Sequence, residues 1–174
     1  MKKTTVVLIV LLVCLSAVSA NAIKFSVSPI GFQTSKSTNI KVKSTYGISG
    51  EAACIIDLGT NLYFNAGFNV GFYRMEDRPN LVNAMAFVGT GCIYNLGEKL
   101  SFSADASIGA DVLFYRENTT VAFSIKTGLE FAYRFGESLS VFIGCDATMG
   151  FDKREDVKFT NLRVLPQVGA LLPF

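Results

Sequence analysis

A chain of 174 residues, 50% hydrophobic and 17% charged, is long enough for one domain and too apolar to stay disordered. Fifteen Phe, six Tyr and fifteen Gly, without Trp or His, favour aromatic-rich strands and tight turns and remove the commonest general base and metal ligand. Sixteen Lys and Arg against fourteen Asp and Glu exclude the imbalance that would point to nucleic acid or an acidic partner.

Lys2 and Lys3 precede an apolar run from Val6 to Leu15, and Ala20-Asn21-Ala22 has the small-x-small form of a cleavage site. This pattern predicts a secretory signal peptide over residues 1–22, too short to span a bilayer comfortably, and a mature chain over 23–174. Cleavage after Ala20 would start that chain at Asn21 instead. Cys14 follows Val13 rather than a small residue, which disfavours lipidation. Without Lys2 and Lys3, fourteen basic residues face fourteen acidic ones.

Eight alternating segments follow. In the first, Ile23, Phe25 and Val27 share a face, and the parity changes after Pro29, as at a bulge. Segments Ile48 to Ile56, Leu62 to Tyr73, Ala84 to Leu96, Leu100 to Phe114, Val121 to Phe135, Leu139 to Phe151 and Leu162 to Phe174 keep a period of two. Leu100 to Phe114 is the clearest, with Phe102, Ile108 and Val112 on one side and Ser103, Asp105 and Asp111 on the other. Leu58-Gly59-Thr60-Asn61-Leu62, Leu96-Gly97-Glu98-Lys99-Leu100 and Phe135-Gly136-Glu137-Ser138-Leu139 repeat one pattern after 38 and then 39 residues. Each reads as a short hairpin turn in which Gly takes a left-handed position. More irregular connections are expected over Ser35 to Tyr46, Arg74 to Asn83, Arg116 to Thr119 and Asp152 to Thr160. Seven links then join eight strands, with both chain ends on the short-turn side.

These strands are longer than those of ordinary soluble sheets. Phe72, Phe114, Phe123 and Phe151 lie toward the loop end of the apolar face; Phe64, Tyr94, Phe102, Tyr133 and Phe135 lie toward the turn end. At about 3.3 Å per residue and a tilt near 40°, Phe102 and Phe114 stand roughly 30 Å apart, enough for an apolar band between two aromatic girdles. A soluble barrel with its faces exchanged would alternate in the same way, but the length, the turns and the girdles favour a membrane barrel. In lipid the backbone has no water to satisfy it, so the sheet must close first strand to last. Pro29, Pro166 and Pro173 fall on those two strands, while Pro79 falls in a connection. Bulges at the seam explain them; a seam weakened enough to open for a lipid or partner is the sharper alternative.

Parity points Glu51, Asp105, Asp111, Lys126, Glu130, Arg134, Asp146 and Arg163 into the lumen, because lipid-facing charges are expensive. A tight hairpin near Glu117 would set Asp105 opposite Glu130, with Lys126 one pleat repeat above them. A salt-bridged plug is the preferred reading, since eight strands enclose a space only just wide enough for side chains. An ion-conducting or ligand-binding lumen, and an acid–base pair of Asp105 and Glu130, are the alternatives. Inward glycines such as Gly91, Gly109 and Gly128 make room either for Tyr63, Tyr73, Phe87 and Phe142 to fold across or for a small cavity. Cys54, Cys92 and Cys145 fall on the outer face of non-adjacent strands and read as small apolar residues. Asn118-Thr119-Thr120 matches a glycosylation acceptor but reads as part of a connection. No nucleophile elbow, phosphate loop, dinucleotide fingerprint or metal spacing occurs, so no catalytic residue, cofactor or metal is expected.

The whole mature chain, and most specifically its end, Val168-Gly169-Ala170-Leu171-Leu172-Pro173-Phe174, resembles the small eight-stranded outer-membrane barrels, the class of the OmpA membrane domain, OmpX and OmpW. Gly169, Leu172 and Phe174 match the terminal signal by which barrel-assembly machinery recognises its clients; Val168, where a polar residue is usual, and Pro173 depart from it. The resemblance implies an all-β, eight-stranded antiparallel up-and-down transmembrane barrel, exported to the bacterial outer membrane, with membrane lipid and the assembly machinery as partners and no nucleic acid. Family enzymes that modify lipid A lean on histidine, which is absent here, so no enzyme is expected. The expected function is a structural, surface-exposed protein whose loops, chiefly Arg74 to Asn83 and Asp152 to Thr160, contact host or envelope partners. The alternative is an OmpW-like narrow channel or transporter for ions or small apolar molecules.

Overall fold

A computed structural model describes residues 20–37, 41–75, 78–115, 118–154 and 157–173. Residues 1–19, which hold most of the expected signal peptide, and Phe174 lie outside these. Strands β1 (Ala22–Ser37), β2 (Lys41–Gly59), β3 (Leu62–Met75), β4 (Arg78–Asn95), β5 (Leu100–Tyr115), β6 (Asn118–Arg134), β7 (Ser140–Arg154) and β8 (Val157–Pro173) follow one another round a closed barrel. All neighbours are antiparallel, and β8 pairs back onto β1. The expected eight-stranded up-and-down barrel is what the chain forms.

The alternation explains why these segments are strands. One parity carries Phe, Ile, Val, Leu and Ala, and the other carries polar or small residues, so only a pleated sheet separates them. The apolar set lies outside: Ile48 is 58% exposed, Ile108 48% and Ile143 65%. Among the described residues, no charged side chain stands on the outer face between the two aromatic girdles. The shortest strand has 14 residues. At about 3.3 Å per residue and a tilt near 40° it rises about 35 Å, more than the ~25 Å apolar band of an outer-membrane barrel. At the turn-side girdle, Phe102 and Phe131 pair at 5.0 Å between ring centroids, and Tyr133 and Phe135 at 4.9 Å.

The three repeats are the turn-side links. Thr60 and Asn61 alone join β2 to β3, with φ of 53° and 67°, the left-handed pair that follows the twist of a hairpin. Gly136 takes φ 126°, open to a residue without a Cβ. The four connections expected to be irregular are largely strand where they are described: pairing extends to Lys36 with Lys41, Met75 with Arg78, Tyr115 with Asn118 and Arg154 with Val157, and residues 38–40, 76–77, 116–117 and 155–156 lie outside the described residues. Charged and proline-containing stretches read as loops, yet ladder bonds need only backbone, and Asp152 pairs with Phe159 and Lys153 with Lys158.

The change of parity after Pro29 is a bulge. The β1–β2 register shifts between Ser28 and Gly31, and Pro29 and Ile30 are both exposed outside. At the closing seam the β1–β8 register is interrupted between Val27, opposite Val168, and Phe32, opposite Val164. Pro166 stands within the matching stretch of β8. Pro173 pairs with Ala22 at the turn-side end.

Candidate functional site: an ionic lumen

The inward parity supplies a polar core. Lys24, Glu51, Asp105, Asp111, Lys126, Glu130, Asp146 and Arg163 are all buried, and Arg163, Tyr73, Phe87 and Lys126 are among the largest fully buried side chains. Charges at this depth are costly unless paired.

In the turn-side half the pairs cross the lumen. Lys126 on β6 donates to both Glu51 oxygens on β2 at 2.8 and 2.7 Å and lies 2.9 Å from Asp146 Oδ2 on β7. Its ammonium also sits 4.2 Å from the centroid of the Phe87 ring. Lys24 on β1 donates to Glu130 on β6 and lies 3.7 Å from Glu51. Gln167 on β8 ties this group together: its Nε2 donates to Asp146 Oδ1 at 2.9 Å and to Glu130 at 3.3 Å, while its Oε1 accepts from Ser26 at 2.8 Å. In the loop-side half, Arg163 Nη2 lies 2.7 Å from Asp111 Oδ2, and Asn83 donates to Asp111 Oδ1 at 3.2 Å. An apolar layer of Tyr73, Leu81, Leu113 and Leu165 accompanies that pair.

Asp105 differs from the rest. It is buried, and neither carboxylate oxygen has a hydrogen-bond partner among the described residues. It does not face Glu130. The β5–β6 hairpin pairs Tyr115 with Asn118, which sets Asp105 opposite Gly128, Ser103 opposite Glu130 and Ser107 opposite Lys126. A Cβ on Gly128 would lie 2.6 Å from Asp146 Oδ1 and 2.7 Å from Asp105 Oδ2, so the missing side chain is what admits both carboxylates. The described lumen thus holds three cations (Lys24, Lys126, Arg163) and five carboxylates (Glu51, Asp105, Asp111, Glu130, Asp146).

Arg134 is a correction. It has inward parity but is the last residue of β6, exposed at the turn-side rim, and among the described residues it joins no lumen pair. Lys24 is the residue missed by sequence reasoning, although it shares the parity of Ser26 and Ser28. The inward glycines serve the aromatics: a Cβ on Gly91 would lie 2.3 Å from the Tyr63 ring, and one on Gly169 2.4 Å from that of Phe142. A recess of about 60 Å³ opens at the turn side, bounded by Tyr63, Ile93, Phe142 and Leu171, and ends on Lys24 and Glu130.

Cys54, Cys92 and Cys145 are free thiols, none of them fully buried. Among the described residues no group of three or more His, Cys, Asp or Glu could hold a metal ion. Gly169 and Leu172 lie in β8, opposite Ser26 and Ile23 of β1.

No protein-family model matches the sequence, and no curated protein matches it. Among solved structures, the chain is similar to Neisserial surface protein A: TM-score 0.62 at 10% identity, over 88% of this chain and 96% of that one. A de novo designed transmembrane β-barrel matches with TM-score 0.45 at 12% identity over 89% and 97% of the two chains. The attachment invasion locus protein Ail of Yersinia pestis gives 0.43 at 13% over 88% and 99%. Only the first is close enough to bear on the fold, which is that of a small outer-membrane β-barrel.

Proposed function

We propose that this chain is a plugged, non-enzymatic barrel of the bacterial outer membrane that acts as a structural and surface-exposed element. The observation that carries the reading is the set of ion pairs crossing the lumen, β6 to β2, β1 to β6 and β8 to β5, with Phe87 and Tyr73 filling the space between. Such a core fills the lumen with paired charges and rings, which supports a plugged barrel, and the turn-side recess ends on one of its pairs. A surface role agrees with the name of the Neisserial protein that shares the fold. The outer face, apolar between its girdles, supports lipid as the surrounding medium. Residues 1–22 would direct export, and Gly169, Leu172 and Phe174 would present the chain to barrel-assembly machinery.

Contacts with a host or envelope partner would be made at the loop-side end of the barrel, where the strands continue into much of the stretches expected as loops. The test is reconstitution of the refolded protein in planar bilayers. The plugged reading expects no reproducible single-channel steps; regular steps, abolished by enlarging the Gly91 or Gly128 side chain, would replace it with the narrow-channel alternative.

A further inference from the structure

Four carboxylates and two ammoniums share the turn-side half of the lumen: Glu51, Asp105, Glu130 and Asp146 against Lys24 and Lys126. Both ammoniums sit in the same way, between a carboxylate and an aromatic ring. Lys126 rests on Glu51 and Asp146 with the centroid of the Phe87 ring at 4.2 Å. Lys24 rests on Glu130 with that of Phe142 at 5.2 Å. Charge and ring quadrupole together offset the hydration that a buried ammonium loses.

Asp105 belongs to a third pairing of carboxylate and ring. The residue opposite it on β4 is Gly91, and the Tyr63 ring leans across that glycine, where a Cβ would lie 2.3 Å from Tyr63 Cζ and 2.4 Å from its hydroxyl. Asp105 is 7% exposed, and neither of its oxygens has a hydrogen-bond partner among the described residues. The turn-side recess leads toward this place. Tyr63, Ser103, Glu130 and Phe142 line it, and Asp105 is the next inward residue of β5 beyond Ser103, diagonal to Glu130 across the β5–β6 ladder. The bonds that Glu130 accepts from Lys24 and Gln167 both end on Oε1, which leaves Oε2 for another donor. Ile55, Ile93 and Leu171 make the neck apolar.

We infer that the recess binds a small primary alkylammonium ion, with its head on Asp105 and Glu130 beside the Tyr63 ring and its alkyl stem in the neck. The excess of carboxylates selects a cation, and the two resident lysines show which kind of cation this lining accommodates. The recess of about 60 Å³ has room for about four water-sized groups at ~15 Å³ each, the size of an ammonium on a three-carbon stem. A hard metal ion needs oxygen ligands all round, whereas this neck offers hydrocarbon; a quaternary ammonium has no N–H to donate. The inference goes beyond the plugged-barrel reading and rests on it for the closed inner end.

Isothermal titration calorimetry of the refolded barrel in detergent tests it, with n-propylammonium chloride against tetramethylammonium chloride and sodium chloride at equal ionic strength. The expected result is saturable binding of n-propylammonium alone, weakened about tenfold in Asp105→Asn, where a charged acceptor becomes a neutral one. Binding should be unchanged in Glu98→Gln, which removes an exposed carboxylate from the turn between β4 and β5 at the same rim. Ala132→Phe fills the mouth from a half-buried lining position, leaves every charge in place, and should abolish binding. A gel shift on boiling shows that each variant is folded; if Asp105→Asn fails that check, Ala132→Phe decides. No binding, equal binding of the three cations, or binding that persists in Asp105→Asn and Ala132→Phe overturns the inference, and a silent planar bilayer then leaves the plugged barrel standing. Regular channel steps overturn the plugged barrel itself, whatever the calorimetry shows.

Discussion

Replacing Lys126 by Met asks whether the lumen is a dry ionic core or a wet one. Lys126 Nζ lies 2.8 and 2.7 Å from the Glu51 oxygens and 2.9 Å from Asp146 Oδ2, and these side chains are at most 2% exposed. Met keeps most of the volume and the unbranched stem, so little packing is lost. What is lost is the cation that neutralises two carboxylates where carboxylates already outnumber cations. Breaking a buried pair by removing one partner costs about 3–5 kcal/mol. The contact with the Phe87 ring, 4.2 Å from ammonium to centroid, adds about 1–2 kcal/mol because both partners are buried. Urea unfolding of the refolded barrel in detergent, followed by circular dichroism and by the gel shift on boiling, reads the change. Adding Glu51→Gln should recover part of it, because the second variant removes the charge that the first left stranded; a coupling of about 1–3 kcal/mol is expected. A Lys126→Met barrel within about 1 kcal/mol of the parent, additive with Glu51→Gln, would mean that water screens these groups, and the plugged lumen would fail with it.

Four other outcomes follow from the same geometry. Asp105→Asn removes a buried carboxylate without a hydrogen-bond partner and should stabilise the barrel by about 1–3 kcal/mol in the same urea assay. Gly128→Ala places a Cβ within 2.7 Å of oxygens from both Asp105 and Asp146 and should destabilise by about 1–3 kcal/mol, with part restored when combined with Asp105→Asn. Thr60→Gly relieves a β-branched residue held at φ 53° and should raise stability by about 1 kcal/mol, read from the urea midpoint. Ile108→Arg, at the middle of β5 on the outer face, should cost about 2–4 kcal/mol in a bilayer; a neutral effect there would mean that this face does not meet acyl chains.

Period two was enough to read the number of strands, their direction round the barrel and the face each side chain takes, because lipid and lumen demand opposite polarities at every step. The bulge after Pro29 was legible for the same reason: the polarity pattern itself slips. Parity carries no depth, however. Arg134 has the parity of Glu130 and Lys126 but sits where β6 ends, so it reaches the rim rather than the lumen. Register was equally hidden. Whether Asp105 meets Glu130 or Gly128 depends on which residues turn between β5 and β6, a one-residue change in the turn moving every partner. Lys24 escaped because it lies two residues beyond the expected cleavage site, in a segment where Ile23, Phe25 and Val27 drew attention to the other face. The loop-side connections were overestimated because charge and proline signal turns by composition, whereas strand pairing there is decided by the backbone of the neighbouring strand.

The ionic lumen and the imperfect seam are two parts of one solution. Closure by β1 and β8 must survive an interruption between Val27 and Phe32, where Pro29 and Pro166 lack the N–H that a ladder needs. Side chains inside take over that task. Ser26 Oγ donates to Gln167 Oε1 at 2.8 Å, joining β1 to β8 from within beside the gap. Lys24 anchors β1 to β6 through Glu130, and Arg163 anchors β8 to β5 through Asp111, so each seam strand is tied to the far wall as well as to its neighbour. An isolated ladder defect of this size would open easily in a barrel with a watery lumen, since its ends could separate independently. With both strands pinned to the opposite wall, moving either one away breaks a buried ion pair, Lys24–Glu130 or Arg163–Asp111, and the bulge is left free to shape the outer wall rather than to part it.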